Sequence, residues 1–125
     1  LVKDPQILVA AYDDAQGVTG RFNKNLLTRI NRELDGSFEV DGFEHLALWN
    51  AEQQRMEMHL VSRHEQTASV AGHTFHFGEG ERLHTENSHK FTPESFAALA
   101  ASAGWKVSQQ WVSAAPEVAL FTLQA

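Results

Sequence analysis

The sequence predicts an α+β fold for a chain of 125 residues, long enough for one compact domain. Two segments with helical spacing of apolar residues come first, and a third follows near the end. Between them lies a run of alternating polar and apolar residues interrupted by short glycine turns, which is typical of antiparallel strands. We therefore expect two helices, an antiparallel meander of about three strands, a helix and two final strands.

The first two helices are indicated by apolar residues that recur at helical spacing. "PQILVAAY" begins at Pro5 and ends before Gly17, and Thr19 is predicted to cap the second helix. That second helix is the clearest amphipathic segment of the chain and stops at 35–36 ("DG"). Its predicted apolar stripe consists of Phe22, Leu26, Ile30 and Leu34 at strict i+4 spacing, with Leu27 beside them.

The middle of the chain predicts strands. Asp41 is expected to cap one helical turn before a strand through Leu46, Leu48 and Trp49. A long strand is expected over residues 54–70, with Met56, Met58 and Leu60 on one face. The remaining predicted features are turns at 71–72 and 78–81 and strands at 73–77 and 82–88.

The last third predicts a capped helix and a strand pair. Thr92 is the expected N-cap, followed by Pro93 in the first turn, and Gly104 ends the helix. Its predicted buried stripe is Phe96, Leu99, Ala100 and Ala103. Two strands joined by a turn at 114–117 close the chain.

Composition excludes several classes of function. The net charge of −6 argues against a nucleic-acid surface, which needs a basic face. Without cysteine, the chain can form neither disulfides nor thiolate zinc sites. No apolar run approaches the roughly 20 residues of a membrane span, and no signal peptide is visible. We therefore expect a cytoplasmic protein that binds neither membrane nor nucleic acid.

Two other patterns predict no site. His73 and His76 are three residues apart on a predicted strand, which puts them on opposite faces, so no metal site is expected. Gly78 and Gly80 resemble half of a phosphate-binding loop, but a strand follows them where such a loop needs a helix. A hairpin turn is the better interpretation, and no catalytic motif of a known type is present.

Glu86 and Ser88, in "TENS", are the most informative polar pair. On a strand they share one face about 6.5–7 Å apart and could hydrogen-bond opposite edges of a small planar ligand. An imidazole would suit them, since one nitrogen donates to the carboxylate and a hydroxyl can donate to or accept from the other. The alternative is that both residues cap the following helix or face solvent.

Several longer stretches resemble one enzyme family. "LVAAYDDAQGVTGRFNKNLLTRINREL", "FEHLALWN", "RMEMHL" and "TENSHKFTPESF" resemble, in order and spacing, the C-terminal part of the S-adenosylmethionine-dependent L-histidine Nα-methyltransferases of ergothioneine biosynthesis. The resemblance covers nearly all of this chain but less than half of the family's enzyme. The remainder of that enzyme holds the cofactor-binding strands, so this chain would contain no residue that binds S-adenosylmethionine.

The resemblance implies roles for four residues. Tyr12 would hydrogen-bond the substrate carboxylate, and Met58 would form an apolar wall beside the ring. Glu86 and Ser88 would hold the imidazole of L-histidine. The implied reaction is an in-line displacement by the α-amine on the methyl group of the sulfonium cofactor, repeated to the trimethylated product, and none of these four residues need act as a base.

The resemblance also implies an α/β fold for the complete enzyme, a class I (Rossmann-like) sheet with an inserted α+β substrate domain. Residues 1–13 and 92–125 would belong to the sheet domain and residues 14–91 to the insert. The full-length enzyme is expected to be monomeric, and the isolated fragment is expected to self-associate through surfaces that the rest would cover. Two alternatives remain open: a non-enzymatic ligand-binding or dimerisation module, and a relative acting on another amino acid.

Overall fold

Three α-helices and seven strands follow one another in a computed structural model that describes all 125 residues. The helices are α1 (Pro5–Tyr12), α2 (Val18–Glu33) and α3 (Pro93–Ser102), with one 3₁₀ turn at Val40–Gly42. The strands are β1 (Phe43–Asn50), β2 (Arg55–Ser62), β3 (Gln66–Val70), β4 (His73–Phe77), β5 (Arg82–His89), β6 (Lys106–Val112) and β7 (Ala119–Gln124). All strand pairs are antiparallel, which confirms the predicted α+β class. None of the helices combines the length and the apolar character that crossing a bilayer requires.

Carboxylates begin the first two helices. The Asp4 side chain accepts a hydrogen bond from the amide of Gln6 at 2.8 Å. The Asp14 carboxylate accepts from the amides of Val18 and Thr19, both at 2.9 Å. These bonds, that from Thr19 first, lower the pKa of Asp14 to about 2. The predicted capping role of Thr19 is therefore wrong, because Thr19 lies inside the helix and Asp14 satisfies the free amides.

The predicted apolar face of α2 is confirmed at Leu27 but wrong for most of its other residues. Leu27 and Asn23 are the residues of this helix that are buried, whereas Phe22 is 65% exposed and Leu34 is 53% exposed. Each i+4 step advances about 40° around a helix, so a strict i+4 row winds out of the contact area. The helix therefore packs on the sheet along the line of Asn23 and Leu27 and leaves much of the predicted stripe in solvent.

The central sheet has the order β1–β2–β5, and β3 and β4 form a separate hairpin. The predicted three-strand meander is therefore wrong in its connectivity, because the hairpin is inserted between β2 and β5. The predicted 54–70 strand breaks after Ser62, whose hydroxyl donates to the carbonyl of His64 at 2.7 Å. Gln66 donates to the Ser62 hydroxyl at 2.6 Å and to the Gly42 carbonyl at 2.9 Å. These bonds turn the chain away from the sheet.

Local details around the sheet follow the sequence closely. The turn at 71–72 has positive φ values of 50° and 80° and is confirmed. The single helical turn before β1 is also confirmed, but Asp41 lies inside it and Glu39 is the N-cap residue without a side-chain bond. His73 and His76 alternate along β4, which puts them on opposite faces as predicted.

One face of the sheet carries the core. The larger cluster, where α2 and the β3–β4 hairpin meet the sheet, consists of Leu27, Phe43, Leu60, Ala68 and Phe77. Phe43 and Phe77 pack edge to face with ring centres 5.4 Å apart. A second cluster of Leu8, Ala47 and Met56 attaches α1 to the same face, with Tyr12 and Trp49 at its margin. This attachment places Tyr12 over the end of β5.

The C-terminal helix and hairpin form the remaining part. Thr92 and Ser95 form a reciprocal capping box, which confirms the predicted start of α3. Ala100 is the buried residue of α3, while Leu99 is 52% exposed, so the predicted buried stripe is largely wrong. The β6–β7 hairpin is confirmed with its turn near 114–117, and it leaves Trp111 and Leu120 exposed.

Candidate functional site

A β-bulge in β5 decides which side chains meet at the site. Glu86 lies opposite Met58 and His84 lies opposite His59, so Thr85 between them has no partner in the ladder. The Thr85 hydroxyl instead donates to the carbonyl of Met58 at 2.9 Å. Without the bulge, His84 and Glu86 would share a face. The extra residue places Glu86 on one face of the sheet and His84 on the other.

Met58 shares the face of Glu86. Cross-strand partners point to the same side, and Met58 pairs with Ala47 on one neighbour and with Glu86 on the other. The Met58 side chain is buried, with 3% exposed. Glu57 and His59 project from the opposite face. The register is therefore the one that brings Met58 and Glu86 together.

Three polar side chains form a compact cluster at the end of β5, where α1 ends. The Tyr12 hydroxyl lies 2.7 Å from the Ser88 hydroxyl. The Lys90 ammonium donates to the Tyr12 oxygen at 2.5 Å and to the Ser88 oxygen at 3.0 Å. The same nitrogen lies 4.6 Å from the centre of the Tyr12 ring. The cluster joins residues 76 positions apart in the sequence.

The environment of Tyr12 lowers the pKa of its phenol. Burial is the largest influence on this half-buried phenol and by itself would raise its pKa. Hydrogen bonds with Lys90 and Ser88, together with the positive charge of Lys90, outweigh burial and lower the pKa of Tyr12 from its ordinary value. The hydroxyl is accordingly a stronger hydrogen-bond donor than an isolated phenol.

The Glu86 carboxylate has no hydrogen-bond or ion-pair partner in the protein; it is exposed at a groove of about 180 Å³ between β5 and α2. The groove is lined by Phe22, Asn23, Asn25, Leu26, Arg29, Thr85 and Glu86. Arg29 does not neutralise Glu86, because its guanidinium is paired with Glu33 at 3.1 Å. A free carboxylate thus faces a small cleft and is available to a ligand that donates an N–H or carries positive charge.

A chain of hydrogen bonds through Asn23 and His45, which we call the latch, fixes α1 and α2 relative to the sheet. Asn23 donates from its amide nitrogen to His45 Nδ1 at 3.0 Å and to the carbonyl of His59 at 3.1 Å. Because His45 Nδ1 accepts, its Nε2 carries the hydrogen and donates to the carbonyl of Tyr12 at 2.7 Å. This chain of bonds holds the end of α1 in place, and with it the Tyr12 side chain.

The opposite face of the sheet carries a polar network centred on Glu57. Its carboxylate accepts hydrogen bonds from Asn50 at 2.9 Å, Arg55 at 2.9 Å and His59 at 3.0 Å. These bonds, that from Asn50 first, lower the pKa of Glu57 to about 2. The buried His59 ring stacks on His84 with centres 4.5 Å apart.

Glu57, His59 and His84 place potential metal-ligand atoms within 4.8 Å of one another. Sequence analysis missed this grouping. The i, i+2 spacing puts Glu57 and His59 on one strand face, but nothing in the sequence indicates that His84 lies beside them. His59 Nε2 is bonded to Glu57, and His84 Nε2 is bonded to Asn87 at 2.6 Å. The arrangement is a hydrogen-bonded network, and we assign no metal to it.

The four predicted site residues therefore lie on one side of the central sheet. Tyr12 and Ser88 are in direct contact. Glu86 and Met58 are cross-strand partners at the next position on the same face of the sheet. Sequence analysis missed Lys90, although it is the next same-face position after Ser88 along the direction of β5. It also missed Asn23, whose burial on a helix carries no recognisable pattern.

Comparison with known proteins gives a consistent family assignment. A family model described as histidine-specific methyltransferase, SAM-dependent, matches residues 1–125. A histidine N-alpha-methyltransferase of Mycolicibacterium smegmatis is 45% identical over 122 residues, and one of Mycobacterium tuberculosis is 43% identical over the same length. Both alignments cover 96% of this chain and 38% of the relative, so the chain spans well under half the length of these proteins. The chain belongs to the family of histidine-specific, S-adenosylmethionine-dependent methyltransferases.

Proposed function

We propose that this chain is the substrate-binding C-terminal portion of an enzyme that methylates the α-amine of L-histidine. The observation that carries the proposal is the unpartnered Glu86 carboxylate, which shares a strand face with Ser88. Ser88 in turn contacts Tyr12. The two relatives are named for the same activity, and their similarity to this chain supports the proposal.

The proposed contacts hold histidine by both ends. Glu86 accepts the N–H of one ring nitrogen, and Ser88 hydrogen-bonds the other. Tyr12 donates to the substrate carboxylate, and Met58 supplies an apolar surface beside the ring. A ring without nitrogens would leave the Glu86 carboxylate desolvated and unpaired, and this cost provides selectivity for histidine.

S-adenosylmethionine would supply the methyl group, and we propose that its site lies outside these residues, in the rest of the enzyme. The sheets are antiparallel, and the chain has no glycine-rich strand–turn–helix of the type that binds dinucleotides and related cofactors. We propose that residues 1–13 and 92–125 complete a Rossmann-like sheet in the whole enzyme, with 14–91 as the insert. The exposed Trp111 and Leu120 support this proposal, because a larger sheet domain would cover them.

The contribution of this chain to the reaction is positioning. Fixing the ring and the carboxylate leaves the α-amine as the free end of the substrate, pointing out of the site. The amine attacks in its neutral form, and after each of the first two transfers the methylated ammonium releases one proton to solvent before it reacts again, so no residue of the cluster needs to act as a base. Successive transfers to the same nitrogen need no change in these contacts, and we propose a trimethylated product that serves ergothioneine biosynthesis in the cytoplasm.

Mass spectrometry of the product tests this function. The full-length enzyme containing this chain is incubated with S-adenosylmethionine and, in separate reactions, with histidine, with each of the other amino acids, or with histamine, which lacks the carboxylate. We expect methylated histidine and little methylated histamine, and Tyr12→Phe should lower the rate with histidine while hardly changing that with histamine. Methylation of another amino acid in preference to histidine would favour a relative with a different substrate. No methylation of any amino acid would favour a non-enzymatic binding module.

A further inference from the structure

Lys90 fixes the direction of the hydrogen bonds around it. An ammonium group has three hydrogens and no lone pair, so it donates in every hydrogen bond that it makes. Both the Tyr12 oxygen, at 2.5 Å, and the Ser88 oxygen, at 3.0 Å, must therefore accept from Lys90. The number of hydrogen bonds that the two groups can donate to a ligand follows from a count of their hydroxyl hydrogens.

Tyr12 and Ser88 own one hydroxyl hydrogen each. One of these two hydrogens lies between the oxygens and forms their mutual bond at 2.7 Å. The other has no acceptor in the protein and is free to rotate toward a ligand. The unliganded cluster thus offers one hydrogen to a ligand, whereas the proposed substrate contacts require a donor to the carboxylate and a donor to the ring.

We propose that Lys90 is a positioning residue that makes both hydroxyls donors toward the substrate. The Tyr12–Ser88 bond opens when histidine binds, Lys90 keeps both oxygens as acceptors, and each hydroxyl hydrogen turns to the substrate. This inference rests on the proposed function and extends it to a residue outside the predicted site. It also determines the form of the substrate that is bound.

A donating Ser88 requires a ring nitrogen with a free lone pair. The nitrogen at Glu86 must then carry the hydrogen, because an ionised carboxylate only accepts. The site therefore selects the neutral imidazole in one tautomer, with N–H toward Glu86 and the lone pair toward Ser88. Sequence analysis left open whether Ser88 donates or accepts; Lys90 occupies one lone pair of the Ser88 oxygen, and our proposal gives its hydroxyl the role of donor.

A spectroscopic titration tests the coupling without any substrate. Tyr12 is the single tyrosine of these 125 residues. In the full-length enzyme, the near-ultraviolet tyrosinate absorbance that disappears in Tyr12→Phe reports its ionisation. Lys90→Met removes the charge and the donors and should raise the Tyr12 pKa, whereas Lys90→Arg should preserve the lowered value. The exposed Lys106, changed to Met, is the matched control and should leave the titration unchanged. An unchanged Tyr12 titration in Lys90→Met would overturn the proposed coupling.

Kinetics of the full-length enzyme test the consequence for substrate. Lys90→Met should raise KM for histidine about ten-fold with little change in kcat, because the lost bonds orient groups in the ground state. In a background that carries both Tyr12→Phe and Ser88→Ala, the same substitution should have almost no further effect. A loss that persists in that background would mean that Lys90 binds the substrate directly and would overturn the positioning role.

The two assays separate this inference from the proposed function. If the enzyme does not act on histidine, the titration of Tyr12 still decides whether Lys90 controls the hydroxyl cluster. If it does act on histidine, Lys90→Met could leave both KM and the Tyr12 titration as they are in the wild type. That result would keep the proposed function and show that Lys90 has no part in it.

Discussion

Asn23 links both N-terminal helices to the sheet, and its replacement by alanine is the sharpest test of the fold. The residue is 3% exposed, and its amide donates to His45 Nδ1 and to the carbonyl of His59. Asn23→Ala removes the donor to one buried acceptor, the His59 carbonyl, and to one half-buried acceptor, His45 Nδ1. Each such group costs about 1–3 kcal/mol, and partial relaxation brings the expected total to about 2–4 kcal/mol of unfolding free energy.

Urea unfolding of the wild-type chain and two variants measures this cost. Asn25→Ala is the matched control, because Asn25 lies on the same helix, is exposed, and makes no side-chain hydrogen bond in the structure. We expect Asn23→Ala to shift the midpoint strongly with an unchanged slope, and Asn25→Ala to change it by less than about 0.5 kcal/mol. Equal effects of the two substitutions would refute the assignment of Asn23 to the latch.

Three further predictions concern the core, the acid response and the cofactor. Met56 is completely buried, so Met56→Ala should cost about 2–5 kcal/mol in urea unfolding, and a loss below about 1 kcal/mol would contradict its place in the core. Because the pKa of Glu57 is lowered, its ionised carboxylate stabilises the fold fully above about pH 4.5 and progressively less as the pH falls toward 2. The difference in unfolding free energy between wild type and Glu57→Gln should therefore shrink over that interval. A constant difference would show that the hydrogen bonds of the ionised Glu57 do not cause it. Calorimetry of the isolated chain should detect no binding of S-adenosylmethionine, and micromolar binding would place the cofactor site within these residues.

Local chemistry made several elements predictable from sequence. The start of α3 could be predicted because Thr92 caps the helix and Pro93 has a fixed φ, and both effects act within one turn. The turn at 71–72 follows from glycine, and strand alternation gave the segments that became β2 and β5. The class of the fold could be predicted because it depends on these local patterns.

Features that depend on distant contacts could not be predicted. The face of α2 is chosen by the bonds of Asn23 to two strands, which outweigh the stripe of larger apolar residues. The break after Ser62 depends on bonds with Gln66 and with Gly42 of another segment. The alternation of polar and apolar residues does not indicate the bulge at Thr85. The bulge nevertheless places Glu86 on the same face of the sheet as Met58.

The predicted site residues were found by two independent routes. The spacing of Glu86 and Ser88 indicated a shared strand face, whereas Tyr12 and Met58 came only from the family resemblance. The structure places Tyr12 against Ser88, a contact across 76 positions that no local pattern encodes. Lys90 remained unnoticed because a lysine after a strand is ordinarily a solvent-exposed residue.

The most direct test of the account is the substrate preference of Glu86→Ala in the full-length enzyme. The measurement is kcat/KM for histidine and for phenylalanine, whose ring has no nitrogen, with Glu44→Ala as the control for an exposed glutamate on the same sheet. One charge-assisted hydrogen bond is worth about 1.5–3 kcal/mol, so Glu86→Ala should lower the preference for histidine about ten- to a hundred-fold. Glu44→Ala should preserve the ratio of the two values. Equal losses with both substrates in Glu86→Ala would contradict the claim that this carboxylate recognises the imidazole.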